Sequence, residues 1–174
     1  MSEVFMNIHS QHGMVLLVSL VFLLLISLIG VSSLQNAALQ EKMAGSVKLR
    51  DQSFQAAEAA LRIGESAVQQ PGYSLARCIA VTTCAPPPEA FDITAPGSNP
   101  TSGVTWRAVN GGFYAVQNFA ETTEPVNVPL PAEGKEPKVW TLYRITGVGI
   151  QGNSRTVLES VYVFGRRIMW RQIQ

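Results

Sequence analysis

Histidine is almost absent from this 174-residue chain. Its two histidines, His9 and His12, lie in the first twelve residues, and its only aspartates are Asp51 and Asp92. Ser-His-Asp and Cys-His nucleophile systems, which depend on an imidazole, are therefore excluded from residues 13–174. The sequence also has no Walker or dinucleotide-type phosphate loop and no calcium-loop spacing. It predicts no catalytic residue, metal site or cofactor, and leaves only a carboxylate-pair hydrolase open as an enzymatic alternative.

Charge is also scarce. The chain has 13 Lys and Arg against 12 Asp and Glu, which gives a net charge of +1. Phosphate binding requires a basic surplus, so we expect no nucleic-acid partner. Charged residues make up 14 % of the chain, below the ~25 % typical of soluble proteins. No charged residue lies between Val4 and Gln40. The N-terminal part of the chain therefore contains a long stretch without Asp, Glu, Lys or Arg.

A long apolar run lies within this charge-free stretch. Met14–Val31 is interrupted only by Ser19, Ser27 and Gly30. As a helix its 18 residues would be about 27 Å long, which is close to a hydrocarbon core of ~30 Å. We therefore expect it to insert into a membrane. Removal as a secretory signal peptide is an alternative. However, the run is longer than usual for such a peptide, and no Lys or Arg precedes it in the chain.

The helix is expected to continue beyond the apolar run. No proline precedes Pro71, and the intervening residues are rich in good helix formers. We predict one helix from about Met14 to about Gln69, ended by Pro71-Gly72. Its second half carries an apolar stripe about 100° wide, which we expect to pack on a globular domain. The stripe consists of Leu39, Met43, Val47, Phe54, Ala57, Leu61, Gly64 and Val68, and Arg50 interrupts it.

The remaining residues predict a β-rich head. Glycine, proline, threonine, valine and aromatic residues all increase after residue 72. We predict loops over residues 85–100 and 122–138, and a hairpin whose second strand is covered by the long helix. The candidate strands are Gly103–Val109, Gly112–Phe119, Trp140–Ile150 and Arg155–Phe164. We interpret Arg166, Arg167, Trp170 and Arg171 as a solvated basic tail or, alternatively, a docking patch for an acidic partner or phospholipid headgroups.

Cys78 and Cys84 are the only cysteines. A region beyond the membrane would be periplasmic, where disulfides persist. A bridge would close a seven-residue loop and contribute about 2 kcal/mol by the chain-entropy estimate. Two free thiols are the alternative. A zinc site is not expected, because no other ligand types lie near the two sulfurs.

Three segments resemble a known family. Gly13 followed by Met14 and the apolar run resembles the class III leader of type IV pilins. Asn36–Ser46 and Phe54–Arg62 resemble PilX-type minor pilins of type IV pili. The resemblance implies a pilin-like α+β fold, in which a long N-terminal helix packs on a C-terminal antiparallel β-sheet. It implies a leader (1–13), a transmembrane and filament-core helix (14–34), an amphipathic helix (35–70) and a globular head (71–174).

The resemblance also implies a non-enzymatic structural subunit that initiates or caps pilus assembly and supports adhesion and twitching motility. A prepilin peptidase would cut after Gly13, and the new amine of Met14 would be methylated. The helix would hold a periplasmic head in the inner membrane before entering an extracellular pilus. The implied partners are membrane lipid, other minor pilins, the major pilin, a tip-associated adhesin, the prepilin peptidase and the inner-membrane assembly platform.

Two residues depart from the pilin pattern. His12 stands where leaders usually carry Lys or Arg, and Val18 stands where most pilins have glutamate as the fifth mature residue. A buried carboxylate is costly unless a positive group neutralises it. A subunit with Val18 makes no such demand on a neighbour, so we expect a position at or near the pilus tip. The basic residues lie beyond the apolar run, which does not support a cytoplasmic amino terminus by the positive-inside rule.

Two other functions remain open at this point. A minor pseudopilin of a type II secretion system uses similar parts. A membrane-anchored periplasmic binding or sensor module would share the apolar helix but not the processing of the leader.

Overall fold

A helix of 57 residues, α1 (His12–Val68), dominates the first part of the chain. The computed structural model describes residues 12–126, 139–163 and 165–173. The chain divides into two compact units, Met1–Gly45 and Ser46–Gln174. The predicted helix is confirmed to within two residues at each end. After α1 the chain turns at Gly72, whose φ of +79° lies in the left-handed region that favours glycine.

The described residues of the second unit form a six-stranded antiparallel sheet. Its strands follow one another in space in the order of the sequence, so the topology is a meander. A short helix, α2 (Val81–Cys84), and a 3₁₀ turn (Pro88–Phe91) precede the sheet. The strands are β1 (Gly97–Ser98), β2 (Thr105–Val109), β3 (Gly112–Thr122), β4 (Trp140–Gln151), β5 (Ser154–Val163) and β6 (Arg166–Ile173). The expected α+β arrangement is confirmed.

The hairpin predicted in the head is confirmed. β4 and β5 pair down to Gln151 and Ser154, and Gly152 in the turn has a φ of +56°. The first predicted loop, residues 85–100, in fact contains the 3₁₀ turn and β1. Most of the second, residues 127–138, lies outside the described residues, and β3 extends to Thr122.

The last residues are not a tail, although Arg166, Trp170 and Arg171 are exposed, as expected. They form β6, which pairs antiparallel with β5 from Val157 to Val163. Arg167 and Arg171 make ion pairs with carboxylates of α1 and β5. The charges of Arg167 and Arg171 are therefore neutralised by carboxylates of the same chain. The sequence offered no local signal for this, because one of the two partners is 102 positions away.

Two glycines of β4 allow α1 to lie directly on the sheet. A Cβ atom added at Gly149 would collide with the Ser53 carbonyl oxygen, and one added at Gly147 would come within 2.6 Å of the Ala57 carbonyl oxygen. A side chain at either position would push the helix away from the sheet. The hydroxyl of Ser53, which is fully buried, also lies 2.8 Å from that of Thr156.

Apolar contacts complete this helix–sheet interface. The cluster contains Ala57, Leu61, Ile145, Leu158 and Tyr162. The predicted stripe is therefore correct from Phe54 onward. It is wrong for Leu39, Met43 and Val47, which are 59 %, 68 % and 66 % exposed. The turn at Gly152 packs near Leu49, and Val47 borders a shallow cavity with Thr156 and Gln172 at the edge of the helix–sheet interface.

The opposite face of the sheet has its own core. Trp106 is 1 % exposed and packs with the 3₁₀ turn, β3, β4 and β5. The cluster contains Ala90, Val104, Trp106, Ala115, Val148 and Val157. Because both faces of β5 are covered, the strand carries apolar residues on both sides, as its sequence predicted.

Candidate functional site

The apolar segment of α1 is the most unusual surface of the molecule. Every residue from Met14 to Val31 is exposed, and among the described residues this helix alone is long and apolar enough to cross a membrane. Burying such a surface away from water is strongly favourable, at roughly 25 cal/mol per Å². The segment therefore requires lipid or other apolar helices around it.

The two serines in this segment need no outside partner. The Ser19 hydroxyl donates to the Leu16 carbonyl oxygen at 2.9 Å, and the Ser27 hydroxyl donates to that of Leu23 at 2.8 Å. Bonds of this kind satisfy a hydroxyl group within its own helix. The polar residues in the run are thus compatible with an apolar environment.

The residues implied by the leader resemblance lie on this segment. Gly13 and Met14 lie in the first turn of α1, and Val18 follows one turn later. Met14 is 74 % exposed and Val18 is 46 % exposed. The helix carries no acidic or basic side chain from Met14 to Gln40. At the position where most pilins have glutamate, Val18 presents an apolar side chain instead.

Two buried carboxylates organise the head. Glu65, near the end of α1, is 8 % exposed. Arg167 donates to its two oxygens at 2.6 and 2.9 Å, and Ser160 donates at 2.8 Å. Hydrogen bonding to Glu65 raises the pKa of Arg167. Burial raises the pKa of the neighbouring Tyr162, and the charge of Glu65 raises it further.

The second carboxylate, Glu159, is 1 % exposed on the sheet face away from α1. Arg144 and Arg171 each lie 3.3 Å from its Oε1 atom. Arg144 also donates to the Cys84 carbonyl oxygen and lies 4.6 Å from the centre of the Phe119 ring. A buried carboxylate requires such cations. Arg144 thereby links the sheet core to the cysteine loop.

Cys78 and Cys84 form a disulfide bond in the structure. The loop between them is fixed to the sheet at both ends. The Cys78 amide donates to the Asn118 carbonyl oxygen at 2.9 Å, and the Gln117 side chain donates to that of Thr83 at 2.8 Å. The bridge therefore closes a loop that is already held by β3.

The described residues show no group of three or more His, Cys, Asp and Glu side chains that would hold a metal ion. Glu65 and Glu159, the two carboxylates at the centre of the head, are engaged by arginines. Both carboxylates therefore serve the packing of the sheet.

An antiparallel meander with a long N-terminal helix packed on it defines a pilin-like class of α+β fold. Within α1, residues 12–62 match the family model described as PilX N-terminal. This match supports a PilX-type pilin, as the sequence resemblance implied. No curated protein and no solved structure matches the chain.

Proposed function

We propose that this chain is a minor pilin, a structural and non-enzymatic subunit that helps to initiate or cap type IV pilus assembly. The observation that carries this proposal is the exposed apolar surface from Met14 to Val31, on the same helix that packs on the head. Such a surface is stable in lipid and equally stable among similar helices. The PilX N-terminal match supports the same function.

The proposed life of the molecule begins with removal of the leader. A prepilin peptidase cuts after Gly13, and the amine of Met14 is methylated. The segment 14–34 then anchors the protein in the inner membrane, the amphipathic part 35–70 continues it, and the head 71–174 lies in the periplasm. Release of the segment from lipid into the filament core carries the head to the extracellular pilus.

The leader is tested by co-expressing the full chain with a prepilin peptidase. Amino-terminal sequencing should show a chain that starts at a methylated Met14. A Gly13→Trp variant should remain uncut, because the bulky side chain blocks the scissile bond. An uncut wild-type chain would favour the membrane-anchored binding or sensor module instead.

The proposed location is the pilus tip or its vicinity. Val18 has no charge to be neutralised by a neighbouring subunit, so no subunit is required above it. Immunogold labelling should decorate filament ends, and labelling along the whole shaft would contradict this location. A Val18→Glu variant should move label toward the shaft, whereas Val18→Leu should not.

The proposed partners follow from this role. They are the major pilin and other minor pilins through the N-terminal helix, a tip-associated adhesin, the prepilin peptidase and the inner-membrane assembly platform. Deletion of the chain should abolish pili, adhesion and twitching motility. Loss of protein secretion with intact pili would instead identify a minor pseudopilin of a type II secretion system.

A further inference from the structure

The head contains a groove that the proposed pilin assembly does not use. It has a volume of about 390 Å³, within the ~300–1,000 Å³ range of ligand sites. One wall is formed by residues 73–79, and the other by the residues that lead into β2. Tyr114, Val116 and Asn118 of β3 lie between the two walls.

The backbone of β3 is open at this groove. β2 pairs with β3 only as far as Tyr114, and residues 73–79 bridge to it only at Asn118. The Asn118 carbonyl oxygen accepts from the Cys78 amide and therefore points away from β4. Backbone groups two residues apart in a strand point the same way, so those of Val116 also face the groove side. Within the described residues, no strand pairs with Val116 on that side.

Positive charge lines the same groove. Arg107 is exposed on its wall and makes no ion pair among the described residues. Arg77, on the other wall, lies 3.7 Å from Glu121, and both side chains are largely exposed. Such a pair is weak in water. The groove therefore presents two cationic groups that a carboxylate would attract.

A buried polar group at the groove also lacks a partner. Asn118 is 7 % exposed and lines the groove. Its Nδ2 atom donates to the Leu75 carbonyl oxygen at 2.9 Å, but its Oδ1 atom has no hydrogen-bond partner among the residues that the structure describes. An unmet buried acceptor is costly, and a ligand that supplies a donor would relieve that cost.

Apolar side chains border the charged groups. Ile79 is 97 % exposed, the highest value among the large apolar residues that the structure describes, and it lies in the disulfide-closed loop. The ring of Tyr73 also lines the groove. The disulfide restricts the loop and so lowers the entropy lost when a partner covers Ile79.

We propose that the groove binds an extended peptide segment of a partner protein, with an acidic residue between apolar ones. The segment adds a short strand to β3 through the N–H and C=O groups of Val116. Its carboxylate lies between Arg77 and Arg107, and an apolar neighbour covers Ile79. In strand addition of this kind the backbone bonds supply affinity and the side chains supply specificity.

The test uses the full chain in detergent micelles with ¹⁵N-labelled valine. The probe is the peptide acetyl-TVDVT-amide, and its matched control is acetyl-TVKVT-amide. The acidic peptide should shift the amide signal of Val116 and slow its hydrogen exchange, whereas the lysine peptide should do neither. Arg107→Glu should raise the Kd of the acidic peptide about tenfold. Arg50→Glu, the same change at an exposed arginine outside the groove, should leave the Kd unchanged.

Three results would overturn the proposal. The first is an unchanged Val116 signal at saturating acidic peptide. The second is free aspartate producing the same shifts with the same Kd, which would make the groove a simple anion site. The third is the same shifts on raising the protein concentration alone, which would identify a second copy as the occupant. Because no pilus is involved, these results are independent of the proposed pilin function.

Discussion

Arg167 of β6 binds both carboxylate oxygens of Glu65, a residue 102 positions earlier in the chain. This contact fixes the last strand of the sheet to the end of the long helix. The Ser160 hydroxyl completes the arrangement from β5. Three elements that are distant in sequence are thereby joined around one buried carboxylate.

We expect Glu65→Gln to lower the free energy of unfolding of the head by about 2–3 kcal/mol. The change leaves a half-buried Arg167 without its charge partner, and breaking a buried pair from one side is costly. Urea unfolding of the full chain in detergent micelles measures the loss. The matched control is Glu58→Gln, which removes the exposed ion pair with Arg62 and should cost less than about 0.5 kcal/mol. Equal losses in the two variants would show that the buried pair of Glu65 contributes no more to stability than the exposed pair of Glu58.

We expect Gly149→Ala to destabilise the head by about 1–3 kcal/mol, because overpacking forces backbone to move. The added methyl group would collide with the Ser53 carbonyl oxygen. Thermal unfolding followed by circular dichroism measures the effect. Gly45→Ala, where no atom lies within 4 Å of the added Cβ, should not lower the stability of the head. An unchanged melting temperature for Gly149→Ala would contradict the close approach of helix and strand.

Reduction of the Cys78–Cys84 bond should lower the free energy of unfolding of the head by about 2 kcal/mol. The loss is modest because the loop that the bond closes is short. Urea unfolding with and without a reducing agent measures the difference. The double variant Cys78→Ala, Cys84→Ala should be insensitive to the reducing agent. A reduced wild-type protein as stable as the oxidised one would mean that Arg144 and Gln117 hold the loop unaided.

Stability should fall at alkaline pH. Burial raises the pKa of Tyr73, Tyr143 and Tyr162, so the folded head disfavours their ionised forms. A raised pKa gives stability that is fully present below the unfolded pKa of about 10 and is lost as the pH rises through the folded pKa. Urea unfolding between about pH 8 and pH 12 measures the loss. Tyr143→Phe should make the fall shallower, and a stability that increased above about pH 10 would refute this assignment.

A charge in the apolar segment should weaken membrane insertion. Leu24 is near the middle of Met14–Val31 and is 56 % exposed. A lysine at the centre of a membrane helix costs about 2.5–3.5 kcal/mol. We therefore expect Leu24→Lys to reduce the fraction of chain that floats with liposomes, while Leu24→Ala retains it. Flotation of the lysine variant at the wild-type level would argue against insertion of this segment.

Local patterns in the sequence were sufficient for the elements with local causes. The end of α1 follows from Pro71-Gly72, and the β4–β5 hairpin follows from two β-rich runs around a glycine turn. The disulfide required only two cysteines at a short spacing. In each case the determining residues are close together in the chain.

Elements with distant causes were missed. β6 is stabilised by Glu65 and by pairing with β5, neither of which is visible in the arginine-rich run itself. The predicted apolar stripe included the exposed Leu39, because helical periodicity does not report which apolar positions have a partner surface. The groove at Val116 arises from the divergence of β2 and the path of residues 73–79, and no motif marks it.

The glycines of β4 have a mechanical consequence. Ser53 lies over Gly149 and Ala57 lies over Gly147, so four residues of helix correspond to two residues of strand. Four helical residues advance about 6 Å, and two strand residues advance about 6.6–6.8 Å. Leu61 and Ile145, four helix residues and two strand residues further along, belong to one buried cluster. Tension along the helix axis would therefore load the Ser53–Gly149 and Ala57–Gly147 contacts together, so that neither contact yields alone.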